Sequence, residues 1–103
     1  MPPNNRALVW APESEQDLLE IWHYLAEAVG TDTADRQLRR IDEACRSLRQ
    51  APFRGRPRDE LRPGLRSILT EPYVVFYRVA TAAVEIVRVL HQRRDIGAIF
   101  GER

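Results

Sequence analysis

The sequence predicts an α+β domain in which a helical hairpin packs on one face of an antiparallel sheet. Three features of the chain lead to this fold class. Apolar residues recur every three or four positions over residues 12–48, which is the period of amphipathic helices. Over residues 51–64, proline, glycine and arginine dominate, as in a loop. Beyond residue 64 the apolar period changes to two, which indicates strands.

The first half of the chain is predicted to form a short strand and two helices. Residues 6–11 predict the strand, and Pro12 suits the first turn of a helix, where its missing N–H is not needed. Gly30 is predicted to end this helix, and Thr31 or Thr33 to cap the next. The two apolar stripes consist of Leu18, Ile21, Trp22, Leu25 and Val29, and of Ala34, Leu38, Ile41, Cys45 and Leu48. Helices joined directly at Gly30 make an antiparallel hairpin.

The second half is predicted to form an antiparallel meander of three strands over Leu65–Leu69, Tyr73–Val79 and Val84–His91. The segment Asp95–Phe100 is short and moderately apolar, and predicts a final turn or short helix. The predicted order is therefore strand, helix, helix and three strands, in a single domain over residues 1–103.

Both faces of the last two strands are apolar. Alternation sets Tyr73, Val75, Tyr77 and Val79 opposite Val74 and Phe76, and it sets Val84, Ile86 and Leu90 opposite Val87 and Val89. Two helices cover only one face, so the second face predicts a partner surface. The alternative is that the long loop and the C-terminal segment cover it.

Charge is segregated along the chain although the net charge is only +1. Residues 1–35 carry seven acids against Arg6 alone, whereas residues 36–66 carry ten arginines against four acids. The chain has no lysine, and arginine suits bidentate contacts with carboxylates and phosphates. A GC-rich genome explains an arginine bias equally well, but segregation favours a basic zone that meets an acidic protein or nucleic acid.

Other functional classes are disfavoured by composition. A single cysteine, Cys45, excludes an internal disulfide, and its place in an apolar stripe predicts a core residue rather than a nucleophile. His23 and His91 lie too far apart for metal-site spacing, so we expect neither a metal nor a cofactor. No run approaches the roughly 20 apolar residues of a membrane span, and the start lacks a secretory pattern. We therefore expect a cytoplasmic protein.

Several segments together resemble the ParE branch of the RelE/ParE toxin superfamily. They are Trp10-Ala-Pro, Asp17–Ile21, Pro52–Arg56, Glu60–Ser67, Tyr73–Val79 and Val84–Asp95. The likeness extends from Trp10 to Asp95, and the order and spacing of the segments carry it. One departure is Ala11, where relatives often have a helix-capping serine. The resemblance implies the toxin of a type II toxin–antitoxin system, of the plasmid stabilisation type, which a ParD-like antitoxin neutralises.

The resemblance also separates two activities. RelE-like members cleave messenger RNA on the ribosome with lysines or a carboxylate–histidine pair, a third-strand arginine and a C-terminal histidine or tyrosine. This chain has no lysine, Val74 stands at that third-strand position, and no tyrosine follows Tyr77. ParE-like members bind DNA gyrase and trap it on broken DNA, which requires no catalytic set. The resemblance thus implies a DNA gyrase inhibitor that is not an enzyme and does not bind nucleic acid directly.

Two other functions stay open from the sequence. One is a ribosome-dependent mRNA endoribonuclease in which His91, paired with Glu71 or Glu60, acts as acid or base. The other is a non-toxic binding module that acts in operon regulation with its partner. For the ParE reading, the residues predicted to contact the target are His91, Arg93, Arg94 and Asp95. Those predicted to contact the antitoxin, in a hetero-oligomer, are Arg56, Arg58, Arg66, Val74, Phe76 and Arg78.

Overall fold

A computed structural model describes residues 6–101 of the chain. Its elements are β1 (Ala7–Trp10), α1 (Pro12–Val29), α2 (Thr31–Ser47), β2 (Arg56–Pro57), β3 (Leu65–Thr70), β4 (Tyr73–Val79), β5 (Ala83–His91) and α3 (Ile96–Gly101). The five strands form one sheet in the order β1-β5-β4-β3-β2. The predicted fold class, the helical hairpin and the antiparallel meander of β3, β4 and β5 are confirmed. In residues 6–101, no helix is long and apolar enough to cross a membrane.

The two edges of the sheet differ from a plain meander. At one edge β1 pairs in parallel with β5, and Trp10 lies opposite Ile86. At the other edge lies β2, a two-residue strand inside the segment that the sequence predicted as loop only. Arg56 pairs with Ser67, and the N–H of Arg58 donates to the Leu65 carbonyl at 2.7 Å. Pro57 is tolerated in β2 because an edge strand needs donors on one side only.

The helices meet at Gly30 without a linker. Gly30 is at once the C-cap of α1 and the N-cap of α2, with φ 106° and ψ 158°. The predicted capping by Thr31 or Thr33 is wrong, because α2 already begins at Thr31 and no side chain caps it. A one-residue connection requires a backbone conformation that is essentially restricted to glycine.

We expect Gly30→Ala to lower the free energy of unfolding by about 1–3 kcal/mol, because a side chain strains this conformation. No atom lies within 4 Å of the added Cβ, so the loss would come from the backbone and not from a collision. Chemical denaturation monitored by circular dichroism measures it. Gly97→Ala is the control: it lies inside α3, and we expect it to leave stability unchanged or raise it by up to about 1 kcal/mol. Equal stability of Gly30→Ala and wild type would contradict the argument.

The main core lies between the hairpin and the sheet. Ile41 and Cys45 of α2 and its C-cap residue Leu48 pack against Val75 and Tyr77 of β4, and all five side chains are fully buried. The hairpin therefore covers one face, as predicted, and Cys45 is a core residue, as predicted. Val29, at the end of the α1 stripe, is instead 59% exposed.

A β-bulge changes the predicted alternation of β5. Phe76 pairs with Arg88 but Tyr77 pairs with Ile86, so Val87 is the extra residue. Beyond a bulge the alternation of side chains is inverted. As a result Val89 joins the main core and Leu90 the opposite face, the reverse of the prediction from strict alternation.

The second face of the sheet is covered in its middle. Phe76, Leu65 and Leu90 form a second cluster with Phe100 of α3, and Leu61 packs against it from the loop. The Phe76 and Phe100 rings meet edge to face at 4.8 Å. The prediction of an open apolar face is therefore wrong for this region, and its alternative, coverage by the C-terminal segment and the loop, is the one found.

Candidate functional site

The end of β5 forms a rigid turn that leads to the arginines predicted to contact the target. The His91 ring packs edge to face on Tyr73 with centroids 5.4 Å apart. Its Nδ1 accepts the N–H of Arg93 at 3.1 Å, and its carbonyl accepts the N–H of Arg94 at 2.9 Å. His91 therefore closes the strand and shapes the turn.

Arg93 and Arg94 extend from this turn. Both are exposed, and neither guanidinium has a hydrogen bond or ion pair within residues 6–101. Asp95 differs, because its Oδ1 accepts the N–H of Ala98 at 3.1 Å and so caps α3. Of the four residues predicted to contact the target, the two arginines thus remain available, whereas His91 and Asp95 hold the turn and the helix.

A groove of about 450 Å³ opens beside this turn, between α1 and the ends of β4 and β5. Its lining is mainly apolar. It consists of Asp17, Glu20, Ile21, Tyr24, Leu25, Pro72, Tyr73, Val89, His91 and Arg94. The resemblance implies grooves beside the helical hairpin and the sheet that take apolar side chains of the antitoxin, but the sequence did not indicate this position, because the groove forms only where the first helix crosses the far end of the last strand.

Asp17 ties α1 to β5 beneath the groove. Its carboxylate accepts Arg88 Nε at 2.8 Å, Arg88 Nη2 at 2.9 Å and the N–H of Val89 at 2.9 Å. The parallel pairing of β5 with β1 ends at Ile86, so no neighbouring strand can accept the N–H of Val89. The Asp17 carboxylate accepts this hydrogen bond instead. Asp17, only 6% exposed, raises the pKa of Arg88 through its hydrogen bond. The sequence offered one indication of this role, because Asp17 directly precedes Leu18, the first residue of the apolar stripe of α1.

At the arginine-rich edge beside β2, some side chains stabilise the fold and are not free to bind a partner. Arg66 Nη1 donates to the carbonyls of Phe53 and Gly55, at 3.1 and 2.8 Å. The Tyr77 hydroxyl donates to the Pro52 carbonyl at 2.7 Å and accepts the N–H of Gly55 at 2.9 Å. Hydrogen bonds from Arg66 and Tyr77 therefore hold the loop before β2 against the sheet.

The other residues predicted to contact the antitoxin divide into paired and free groups. Arg58 binds Glu60 at 2.8 Å, and Arg78 binds Glu85 at 2.7 Å. Arg56 is exposed and forms no side-chain ion pair or hydrogen bond in the described part of the chain. Phe76 is wholly buried, so the prediction that it contacts a partner is wrong for this conformation.

Val74 is half-buried on the second face, where it packs against the margin of the cluster that contains Phe76 and Phe100. Its cross-strand neighbour on β3 is Leu69, which is 58% exposed. The Leu69–Val74 pair is therefore an apolar surface on this face that a partner can contact.

The groups that a nuclease would combine are not brought together. Tyr73 pairs with His91 and Arg78 with Glu85, so the strand register separates His91 from Arg78 by roughly 17 Å along β4. Glu71 accepts Gln92 Nε2 at 3.2 Å, and Glu60 is held by Arg58. Within residues 6–101 His91 has no carboxylate partner, and no group of three His, Cys, Asp or Glu side chains could hold a metal.

Burial raises the pKa of the Cys45 thiol to about 12, and nearby Asp42 adds to the shift. We expect a disulfide reagent such as DTNB to modify native Cys45 more than about 100-fold more slowly than the unfolded chain, because reaction requires local or global opening. Absorbance at 412 nm, with and without denaturant, measures the ratio. Rapid reaction of the native protein would show that Cys45 is accessible and reactive.

Comparison with known proteins agrees with this geometry. The structure resembles a chain from the chromosomal ParDE toxin–antitoxin system of P. aeruginosa, with a TM-score of 0.75 and 24% identity over 85% of this chain and 97% of that one. It also resembles a YoeB/ParE toxin from Agrobacterium tumefaciens, with a TM-score of 0.60 and 20% identity over 82% and 96%. Both likenesses concern the fold.

Sequence comparison identifies the family. Toxin ParE1 of Mycobacterium tuberculosis is 37% identical over 84% of this chain and 89% of its own length. Toxin ParE3 of Caulobacter vibrioides is 36% identical over 84% and 87%. The family model for the ParE toxin of type II toxin–antitoxin systems, parDE, matches residues 8–96. This chain therefore belongs to the ParE toxin family.

Proposed function

We propose that this toxin inhibits DNA gyrase by binding it, without a catalytic reaction of its own, and that a ParD-like antitoxin neutralises it. The observation that carries the proposal is the β5 end, where Arg93 and Arg94 extend from a rigid turn and have no partner within residues 6–101. Free guanidinium groups held by an ordered backbone suit recognition of a partner. Within residues 6–101 His91 has no hydrogen-bonded carboxylate partner, and the strand register separates it from Arg78, which supports a binding role over an acid–base role.

In the same proposal the antitoxin binds along β2, β3 and β4. Arg56 at the β2 edge is free to pair with an antitoxin carboxylate, and Arg58, Arg66 and Arg78 lie on β3, β4 or the adjoining loop. The Leu69–Val74 pair, four residue pairs along the β3–β4 ladder from Leu65 and Arg78, offers apolar contact. An antitoxin segment that wraps this edge would combine apolar docking with charge pairing. Gyrase acts in the cytoplasm, so the proposal requires a cytoplasmic toxin.

The double substitution Arg93→Ala and Arg94→Ala is expected to abolish toxicity and to leave antitoxin binding intact. The test induces each variant without antitoxin and follows DNA and protein synthesis by pulse labelling over the first minutes. Wild type should depress DNA synthesis first and induce a DNA-damage response.

A matched control removes two arginines from the other edge. The control replaces Arg56 together with Arg54, which precedes β2 and donates from Nη2 to the Ser47 hydroxyl at 2.7 Å. Arg54→Ala with Arg56→Ala is expected to remain toxic and to bind the antitoxin more weakly. Unchanged toxicity of the Arg93/Arg94 variant would refute the target site. An early fall in protein synthesis with cleaved messages would instead assign the toxin to the ribonuclease branch, and harmless wild type would indicate a regulatory binding module.

A further inference from the structure

The turn after β5 presents Arg93 and Arg94, and it is closed by a histidine. The N–H of Arg94 donates to the His91 carbonyl at 2.9 Å, so residues 91–94 form a four-residue turn. Asn, Asp and Ser are favoured at the first position of such turns, because their side-chain oxygen accepts the N–H two residues on. His91 Nδ1 accepts the N–H of Arg93 in the same way, at 3.1 Å. The imidazole therefore acts in this turn as a hydrogen-bond acceptor.

Contacts with β4 and with the residues just before it hold the start of this turn. The N–H of Gln92 donates to the Pro72 carbonyl at 2.8 Å, and Gln92 Nε2 donates to Glu71 Oε2 at 3.2 Å. The ring of Tyr73, which is buried, packs edge to face on the imidazole and fixes its orientation. The first two residues of the turn are thus attached to the β3–β4 hairpin through backbone, side chain and ring.

The other side of the arginine pair is held by α3. Asp95 Oδ1 accepts the N–H of Ala98 at 3.1 Å, which is the contact that an N-cap side chain makes with the first turn of its helix. The helix is anchored in turn by Phe100, which is buried against Phe76. The two arginines therefore lie between two residues whose side chains each accept one backbone N–H.

We propose that His91 and Asp95 are positioning residues: they hold Arg93 and Arg94 in the arrangement that gyrase binds, and they do not touch gyrase themselves. Fixing the backbone before binding removes part of the ordering cost that binding would otherwise meet. The inference rests on the proposed function and deepens it, because it divides the four residues predicted to contact the target into two that bind and two that orient them. What positions 91 and 95 require is thus an acceptor atom, and neither an imidazole nor a negative charge.

Paired substitutions separate the acceptor from the rest of each side chain. His91→Asn keeps an acceptor for the N–H two residues on and removes the ring, whereas His91→Phe keeps a ring against Tyr73 and removes the acceptor. Asp95→Asn keeps the cap and removes the charge, whereas Asp95→Ala removes both. Asp42→Ala, which removes an exposed carboxylate from α2, is the control. Binding of each variant to purified gyrase is measured by surface plasmon resonance, and thermal unfolding confirms that each variant folds. The Asp95 pair remains a complete test if His91→Phe fails to fold.

We expect His91→Phe and Asp95→Ala to weaken gyrase binding by about fivefold or more, and the two asparagine variants and Asp42→Ala to change it by less than about twofold. Three results would overturn the inference. Equal losses with His91→Asn and His91→Phe would show that gyrase requires the imidazole, and equal losses with Asp95→Asn and Asp95→Ala would show that it requires the charge. Wild-type affinity in all four variants would show that the turn needs neither acceptor. Failure of the wild-type toxin to bind gyrase, with or without DNA, would instead overturn the proposed function and so is distinguishable.

Discussion

Asp17→Ala is expected to lower the free energy of unfolding by about 3–5 kcal/mol, because it leaves a partly buried guanidinium unpaired. It also leaves the Val89 N–H at the β5 edge without an acceptor. Domains of this size have a total stability of about 5–15 kcal/mol, so the loss is a large part of it. Urea denaturation of the purified protein, monitored by Trp fluorescence, measures the change.

The chain offers a matched control for this prediction. Asp42 also binds an arginine at 2.8 Å, but the Arg46 side chain of that pair is 61% exposed and solvent screens the interaction. Asp42→Ala is expected to leave stability unchanged within error. If both substitutions had equally small effects, the Asp17–Arg88 pair would not hold α1 to β5, and the rigid turn beyond it would need another explanation.

Tyr77→Ala is expected to cost about 3–5 kcal/mol, since it removes a fully buried aromatic side chain from the main core. Tyr77→Phe keeps the ring and removes only the hydroxyl, which leaves the Pro52 carbonyl and the Gly55 N–H without their partner. We expect it to cost about 1–3 kcal/mol. Burial raises the pKa of Tyr77, so the hydroxyl remains protonated and donates throughout the neutral range.

The consequence for binding follows from the loop that Tyr77 pins. Tyr77→Phe should loosen residues 52–55, which lead directly to Arg56, and should weaken antitoxin binding more than gyrase binding. Tyr24→Phe, at an exposed tyrosine, is the control and should leave stability unchanged. A Tyr77→Phe variant as stable as wild type would mean that water satisfies both backbone groups and that the loop is not held by this hydroxyl.

Features of the fold were predictable from the sequence where local periodicity or local backbone chemistry determines them. The helical stripes, Pro12 at the start of α1 and Gly30 between the helices each follow from period or backbone chemistry. The bulge at Val87 was not predictable, because the residues on both sides of it are apolar and either alternation fits. The burial of Phe100 was not predictable for a similar reason. The six-residue helix α3 is held by the long-range contact of Phe100 with Phe76.

The candidate site was predictable only where it depends on local position in the chain and not on tertiary contacts. Arg93 and Arg94 follow a strand end, so their exposure could be expected from the sequence. The ion-pair partners of the other arginines could not be predicted, because they are set by tertiary contacts. Arg78 binds Glu85, 7 residues away in the chain, and Arg88 binds Asp17, 71 residues away. The groove likewise depends on how α1 crosses β5.

The most direct test of the gyrase proposal incubates the purified toxin with purified gyrase, ATP and supercoiled plasmid DNA, then denatures the enzyme and separates the DNA by electrophoresis. Linear plasmid should accumulate with wild-type toxin, fall to background with the Arg93/Arg94 double variant and disappear when antitoxin is added. Plasmid that remains intact at saturating wild-type toxin, together with messenger RNA cleavage in a ribosome assay, would contradict it.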